Sequence, residues 1–211
     1  MTRRRPRPAF LPGLGSATDP RGAVHVETFD DQGADSDEFY TPRWLVQALP
    51  PIDLDPCSPP HRPIPARDHV VGAEGGDGLA ATWRGLVFMN PPYSRGNLPL
   101  WTARAATAVR DGEAQAVIGL IPARPESAYW WANVWPSALV VGWVDGRICF
   151  EDAAGLATDN TAKLGSALVV WARTTELAER IVLSLGRAPR RVRWTWNTHG
   201  ATPKWTPYDL T

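Results

Sequence analysis

The chain has 211 residues, 44% of them hydrophobic, enough for one domain with a single core and too many for a disordered protein. Its 22 basic and 22 acidic residues cancel, so net charge says nothing about partners, although both ends are locally basic. No apolar run approaches the roughly 18 residues of a spanning helix, and Cys57 and Cys149 form neither a CxxC pair nor a disulfide framework, so a reducing, cytoplasmic setting is the default.

Residues 1–35 read as a flexible basic tail. Arg3, Arg4, Arg5 and Arg7 are broken by prolines, and the apolar core of a signal peptide is missing. An arm that touches phosphates and a solvated tail are both open readings. Thr41 then reads as an N-cap and Pro42 as the first residue of a helix carrying Trp44, Leu45, Ala48 and Leu49. Ile52 to Asp55 is a short strand, stopped at Pro56. The signal from His61 to Gly76 is weak, with a short strand at Asp68 to Val71. Leu86 to Met89 is a strand that delivers Asn90-Pro91-Pro92-Tyr93.

Leu98 to Val109 is predicted to be a helix, with Leu98, Trp101, Ala105 and Ala108 on one side. Ala116 to Ile121 is apolar throughout, the mark of a buried, parallel strand. Pro122-Ala123-Arg124 follows at its end. Glu126 to Val134 reads as a short helix with Trp130 and Trp131, for which core packing is favoured over a base pocket. Leu139 to Val144, the Asp145-Gly146 turn and Arg147 to Phe150 read as a hairpin. Glu151 to Gly165 reads as a mobile loop, and a second place where target recognition could live. Ser166 to Ala172 is another buried strand, and Thr174 caps a helix through Leu185 with Gly186 as its stop. From Arg187 onward Arg190, Arg191, Arg193 and Lys204 interleave with Trp194, Trp196 and Trp205, among eleven tryptophans in all. Phosphate neutralisation with stacking is one reading of this stretch, and a solvated edge strand is the other.

Alternating strands and helices imply an α/β fold with ligands at the carboxyl ends of strands. Three chemically marked stretches sit at such ends: Asp55-Pro56-Cys57, Asn90 to Tyr93, and Pro122-Ala123-Arg124. Two consecutive prolines remove two backbone donors. The Asn90 amide, nearby carbonyls and the Tyr93 ring then remain to recognise a flat amine. On its own the tetrapeptide is equally a Pro-Pro turn.

The ordered set of motifs is more specific. Asp37-Glu38-Phe39-Tyr40-Thr41-Pro42, Asp53-Leu54-Asp55-Pro56-Cys57-Ser58, Asp77-Gly78-Leu79 with Trp83, Asn90 to Arg95, Leu120 to Arg124 and Ser166 to Trp171 together resemble the DNA N6-adenine methyltransferases, specifically the small phage-type Dam family. The resemblance covers about Asp37 to Trp171. It implies a Rossmann-like, mostly parallel sheet with helices on both faces, S-adenosylmethionine (SAM) as methyl donor, and adenine in double-stranded DNA as acceptor. It implies a methyltransferase domain over 36–186 with a basic aromatic extension over 187–211. A cytoplasmic location follows, the host's for a phage-borne gene, with no obligatory protein partner evident.

By matched position, Phe39, Tyr40, Thr41 and Pro42 would touch the methionine part of SAM, Asp55, Pro56 and Cys57 would wrap the cofactor, and Asp77 would lie near its adenine. Asn90, Pro91, Pro92 and Tyr93 would form the catalytic clamp. Arg95, Arg124, Arg190, Arg191, Arg193, Trp194 and Lys204 are the nucleic-acid candidates. The sequence departs from larger methyltransferases in having Ser58-Pro59-Pro60 where a Gly-x-Gly would follow Asp55. Cys57, His61 and His69 match no standard zinc spacing, so no metal is expected. Cytosine N4, RNA adenine and protein glutamine remain alternative acceptors, and a catalytically silent DNA-binding relative is the alternative of another class.

Overall fold

The computed structural model describes residues 40–93, 96–152, 156–162 and 164–197, with 157–161 as backbone alone. Among these residues nine strands and three α-helices form a mixed α/β domain around one seven-stranded sheet. In chain order the elements are α1 (Arg43–Val46), β1 (Ile52–Ser58), β2 (Ala66–Val71), β3 (Gly85–Met89), α2 (Asn97–Arg110), β4 (Ala114–Pro122), β5 (Val140–Val144), β6 (Cys149–Glu151), β7 (Ala157–Thr161), β8 (Ser166–Ala172), α3 (Thr175–Leu185) and β9 (Val192–Trp196). The sheet order is β2-β1-β3-β4-β8-β5-β9. The pairings from β2 to β4 are parallel, and those of β8 with β4 and β5, and of β9 with β5, are antiparallel. Five strands therefore run one way, and only β8 and β9 oppose them.

The unbroken apolar runs follow from burial on both faces. Along β4, Ala116, Ile118 and Leu120 enter one core, with α1 and α3; Val117 and Ile121 enter the other, with α2 and the π-helical turn Trp130–Val134. Helices thus cover both faces. The second core is rich in tryptophan: Trp130 stacks on Trp143 at 5.6 Å and 13°, and Trp83 on Trp101 at 6.0 Å. Trp130 is fully buried, whereas Trp131 beside it is 67% exposed.

Several expectations need correction. β1 runs through Pro56 to Ser58, because its register against β2 shifts between Asp55 and Ser58, where a missing N–H is tolerated. Ala116 to Ile121 is parallel to β3 only; its other neighbour, β8, is antiparallel. The expected hairpin over 139–150 does not form. Both edges of β5 are taken, by β8 and β9, so β6 leaves the sheet and pairs with β7 instead. The span 151–165, read as a loop, contributes β7 to that second, two-stranded sheet. Gly186 ends α3 in right-handed geometry, φ −65°, rather than as a left-handed stop. The basic stretch after Arg187 supplies β9, the outermost strand, with Val140 to Val144 opposite Trp196 to Val192.

Candidate active site

The chain winds outward from β1 to β2, then returns to place β3 on β1's other side. Such a reversal opens a crevice at the strands' carboxyl ends, the usual ligand position in open α/β sheets. A cleft of about 230 Å³ lies there. Its walls are Asp55, Cys57 and Ser58 from β1, Phe88 and Asn90 from β3 and the residue after it, Tyr40 and Thr41 ahead of α1, and Pro59, Pro60, Pro63, Ile64, Ala73 and Pro92. Among the described residues no lysine, arginine or histidine lines it. Its four prolines carry no N–H. The one ionisable carboxyl is that of Asp55, which is 3% exposed.

Burial pushes Asp55 up from 3.8 to about 6, against the lowering pull of the Cys57 N–H, Ser58 and His69. That N–H donates to Asp55 Oδ1 at 3.2 Å. Cys57 is raised well above its ordinary value by burial and then by the Asp55 charge, so its thiol stays protonated and suits packing rather than nucleophilic attack.

At the end of β3 the Asn90 amide sits between two hydroxyls. Tyr93 Oη donates to Asn90 Oδ1 at 2.8 Å, and Asn90 Nδ2 donates to Thr41 Oγ1 at 3.3 Å. The single proton of this phenol is shared with the Leu120 carbonyl, whose oxygen lies 3.1 Å away. Burial holds the Tyr93 hydroxyl well above its ordinary value, so it stays a donor. Its ring meets Phe150 edge-on at 6.2 Å. Pro91 is buried and Pro92 half-buried.

Thr41 was expected to cap α1. Pro42 holds the cap position instead, in extended backbone and with no side-chain bond. The helix start is served by Glu151, which accepts from the Arg43 N–H at 2.7 Å. Tyr40 bridges to Glu151 through its backbone, with the Glu151 N–H on the Tyr40 carbonyl at 3.2 Å. Strand β6 therefore touches the cleft wall through Glu151 and the clamp through Phe150. Neither residue was singled out by the sequence: Phe150 ended the expected hairpin strand, and Glu151 opened the stretch read as a mobile loop.

The structure thus brings together Tyr40, Thr41, Asp55, Cys57, Asn90 and Pro92 around one cleft, with Tyr93 bonded to Asn90 at its edge. Pro42 and Pro56 are buried in the chain beside it. Asp77 is elsewhere: its carboxylate accepts from the Leu79 and Ala80 N–H groups at 2.9 and 3.2 Å and holds a turn. Gly78 lies so close to β1 that an added Cβ would meet the Pro56 carbonyl at 1.8 Å. Arg124 follows β4 and pairs with Glu126 at 3.1 Å. Arg190 donates to the Arg147 carbonyl and lies over the Trp44 ring, while Arg191 and Arg193 are exposed. Half-buried Trp194 rests on Gly142, where an added Cβ would meet its ring at 2.5 Å. Phe39, Arg95 and Lys204 lie outside the described residues. Among the described residues no three His, Cys, Asp or Glu side chains converge as a metal site, and no helix is long and apolar enough to cross a membrane.

A family model described as DNA N-6-adenine-methyltransferase (Dam) matches residues 30–193, which spans the whole sheet up to β9. Comparisons with curated proteins and with solved structures give no match. With far more than half of the sequence inside the matched span, the chain belongs to the Dam family of DNA N6-adenine methyltransferases.

Proposed function

We propose that the protein transfers a methyl group from SAM to N6 of adenine in double-stranded DNA, on a Rossmann-like methyltransferase fold over residues 36–186 with β9 added from the 187–211 extension. The observation that carries this reading is that Asp55 and Asn90, from adjacent strand ends, line one cleft. The first suits a cation and the second an amine.

The cleft chemistry fits SAM. A buried carboxylate complements a sulfonium or ammonium group, and Tyr40 and Phe88 offer aromatic surface. Among the described residues the proline-rich wall offers few N–H donors and no cationic side chain, which suits a ligand without phosphates. Tyr40, Thr41, Asp55 and Cys57 would hold the cofactor, with Pro42 and Pro56 shaping the chain on either side. Asp77 would act from outside, by fixing the turn behind Pro56. The bound cofactor supplies an activated methyl group on sulfur.

The remaining chemistry belongs to the chain. The exocyclic nitrogen of adenine shares its lone pair with the ring. Asn90 Oδ1 and the Pro91 carbonyl, by accepting its two hydrogens, would favour a localised lone pair. Placement and polar stabilisation then suffice, for which preorganised groups supply several kcal/mol. The Tyr93 hydroxyl already occupies the donor position on Asn90 that the amine would take. With the amine in place, Tyr93 retains the Leu120 carbonyl and its ring borders the flipped base, where stacking is worth about 1–3 kcal/mol. Arg95, Arg124, Arg190, Arg191, Arg193, Trp194 and Lys204 are the proposed DNA contacts.

Incubation with tritiated SAM and unmethylated duplex DNA, followed by nucleoside analysis, tests the reading. Label is expected in N6-methyl-deoxyadenosine. Label in N4-methylcytosine, in RNA or in protein would replace adenine in DNA as the acceptor, and absence of SAM binding by calorimetry would leave a silent DNA-binding relative.

A further inference from the structure

Thr41 is 4% exposed and stands 49 residues before Asn90 in the chain, yet its hydroxyl meets the Asn90 amide. Its backbone is fixed from both sides. Tyr40 bridges to Glu151, and the Arg43 N–H bonds to the Glu151 carboxylate. A β-branched side chain on a held backbone has little χ1 freedom, so the hydroxyl is a fixed point.

A primary amide has two ends of nearly equal shape and opposite function: one accepts, the other donates. The acceptor role needs the oxygen to face the incoming amine. In the structure Nδ2 is anchored on Thr41 Oγ1, and Oδ1 faces the Tyr93 hydroxyl, which has a second partner in the Leu120 carbonyl. A turned amide would present N–H groups to another N–H donor.

We propose that Thr41 is a positioning residue for methyl transfer: its hydroxyl anchors the nitrogen end of Asn90 and so aims the oxygen end at the acceptor amine. The inference rests on Asn90 being the acceptor-side amide, and it gives Thr41 a duty separate from contact with the methionine part of SAM. Removing the hydroxyl slows the chemical step while the cofactor still binds.

The test compares Thr41→Val, Thr41→Ser and Asn90→Ala with the parent protein. Single-turnover transfer at saturating SAM and DNA is read beside SAM affinity by calorimetry. The side-chain NH2 signals of Asn90 in the cofactor-free protein, identified by their loss in Asn90→Ala, are read by NMR. At saturating SAM, Thr41→Val should lower the single-turnover rate by about tenfold to a hundredfold and shift the Asn90 NH2 signals, a loss that raising SAM does not restore even where affinity falls with the Thr41 cofactor contact. Thr41→Ser should restore both rate and signals. Thr41→Ala serves in place of valine if valine prevents folding. A hydroxyl-free variant with parental rate and unshifted Asn90 signals overturns the proposal. So does a rate loss that disappears as SAM is raised, which marks a cofactor contact only. Parental activity in Asn90→Ala would overturn the acceptor reading itself, whereas an inactive Asn90→Ala beside a fully active Thr41→Val overturns only the role of Thr41.

Discussion

Asp55 combines 3% exposure with a carboxyl pushed up to about 6. Its folded value lies above the ordinary 3.8, so the proton stabilises the folded free protein. That contribution is complete below about 3.8 and is lost as pH rises through about 6, an effect of about 3 kcal/mol at most. A bound cation reverses the preference by favouring the ionised form. SAM affinity is therefore expected to strengthen between pH 5 and 7 and to level off above, measured by calorimetry. Asp55→Asn should flatten that profile, weaken SAM binding and raise the melting temperature of the free protein at pH 7. An unchanged pH profile in Asp55→Asn would remove Asp55 from the cofactor site. Asp55 and Asn90 were legible in the sequence because each stands next to a proline after a strand-like run, although β1 itself continues through Pro56 to Ser58. The second duty of Thr41 was not. Its residue type and the proline after it match a helix cap, and its true partner comes from another element 49 positions away.

Among elements, the segment between β2 and β3 is tied to α2 through the Arg104 side chain. Arg104 of α2 donates to the Leu79 and Ala81 carbonyls at 3.1 and 2.8 Å and to both Glu113 oxygens at 2.9 and 2.6 Å. It also lies 4.8 Å over the Trp83 ring. Glu113 in turn accepts from the Trp83 N–H, and its carboxyl is lowered first of all by Arg104. Lysine keeps the charge but cannot reproduce the fork. Arg104→Lys is expected to cost about 1–3 kcal/mol, seen as a melting temperature lowered by several degrees with SAM affinity reduced less than for Asp55→Asn. A melting temperature equal to the parent's would show the fork to be dispensable. The long elements were readable because β4, β8, α2 and α3 each carry an uninterrupted apolar pattern. The misreading of 139–150 had a specific cause. An Asp-Gly pair between two apolar runs signals a hairpin only when the first strand has a free edge, and β5 has none. Edge availability is settled by β8 and β9, far along the chain.

Across the whole molecule, the cleft, Arg124, and the Arg190–Arg191 pair that precedes β9 all lie at one end of the sheet, since β1 to β5 point their carboxyl ends there and β9 begins there. Strand β9 is four positions from β3, about 19 Å at the usual strand spacing, close to the width of a duplex. Replacing Arg190 and Arg191 with alanine should weaken binding to any duplex and reduce the slope of log affinity against log salt by about 2, at about 0.9 per phosphate contact. A slope that stays put would leave that end of β9 to packing alone. The sheet also has an order of completion. Strand β8, second-neighbour to β3 in space, is made after β5, β6 and β7, yet it is the sole link between β4 and β5. Until synthesis passes Ala172, the growing chain leaves one edge of β4 and both edges of β5 unpaired, and the Leu120 carbonyl that supports Tyr93 belongs to β4. A chain interrupted before Ser166 would thus carry nearly every residue of the cleft and still present open strand edges to its neighbours, a form more prone to association than to catalysis.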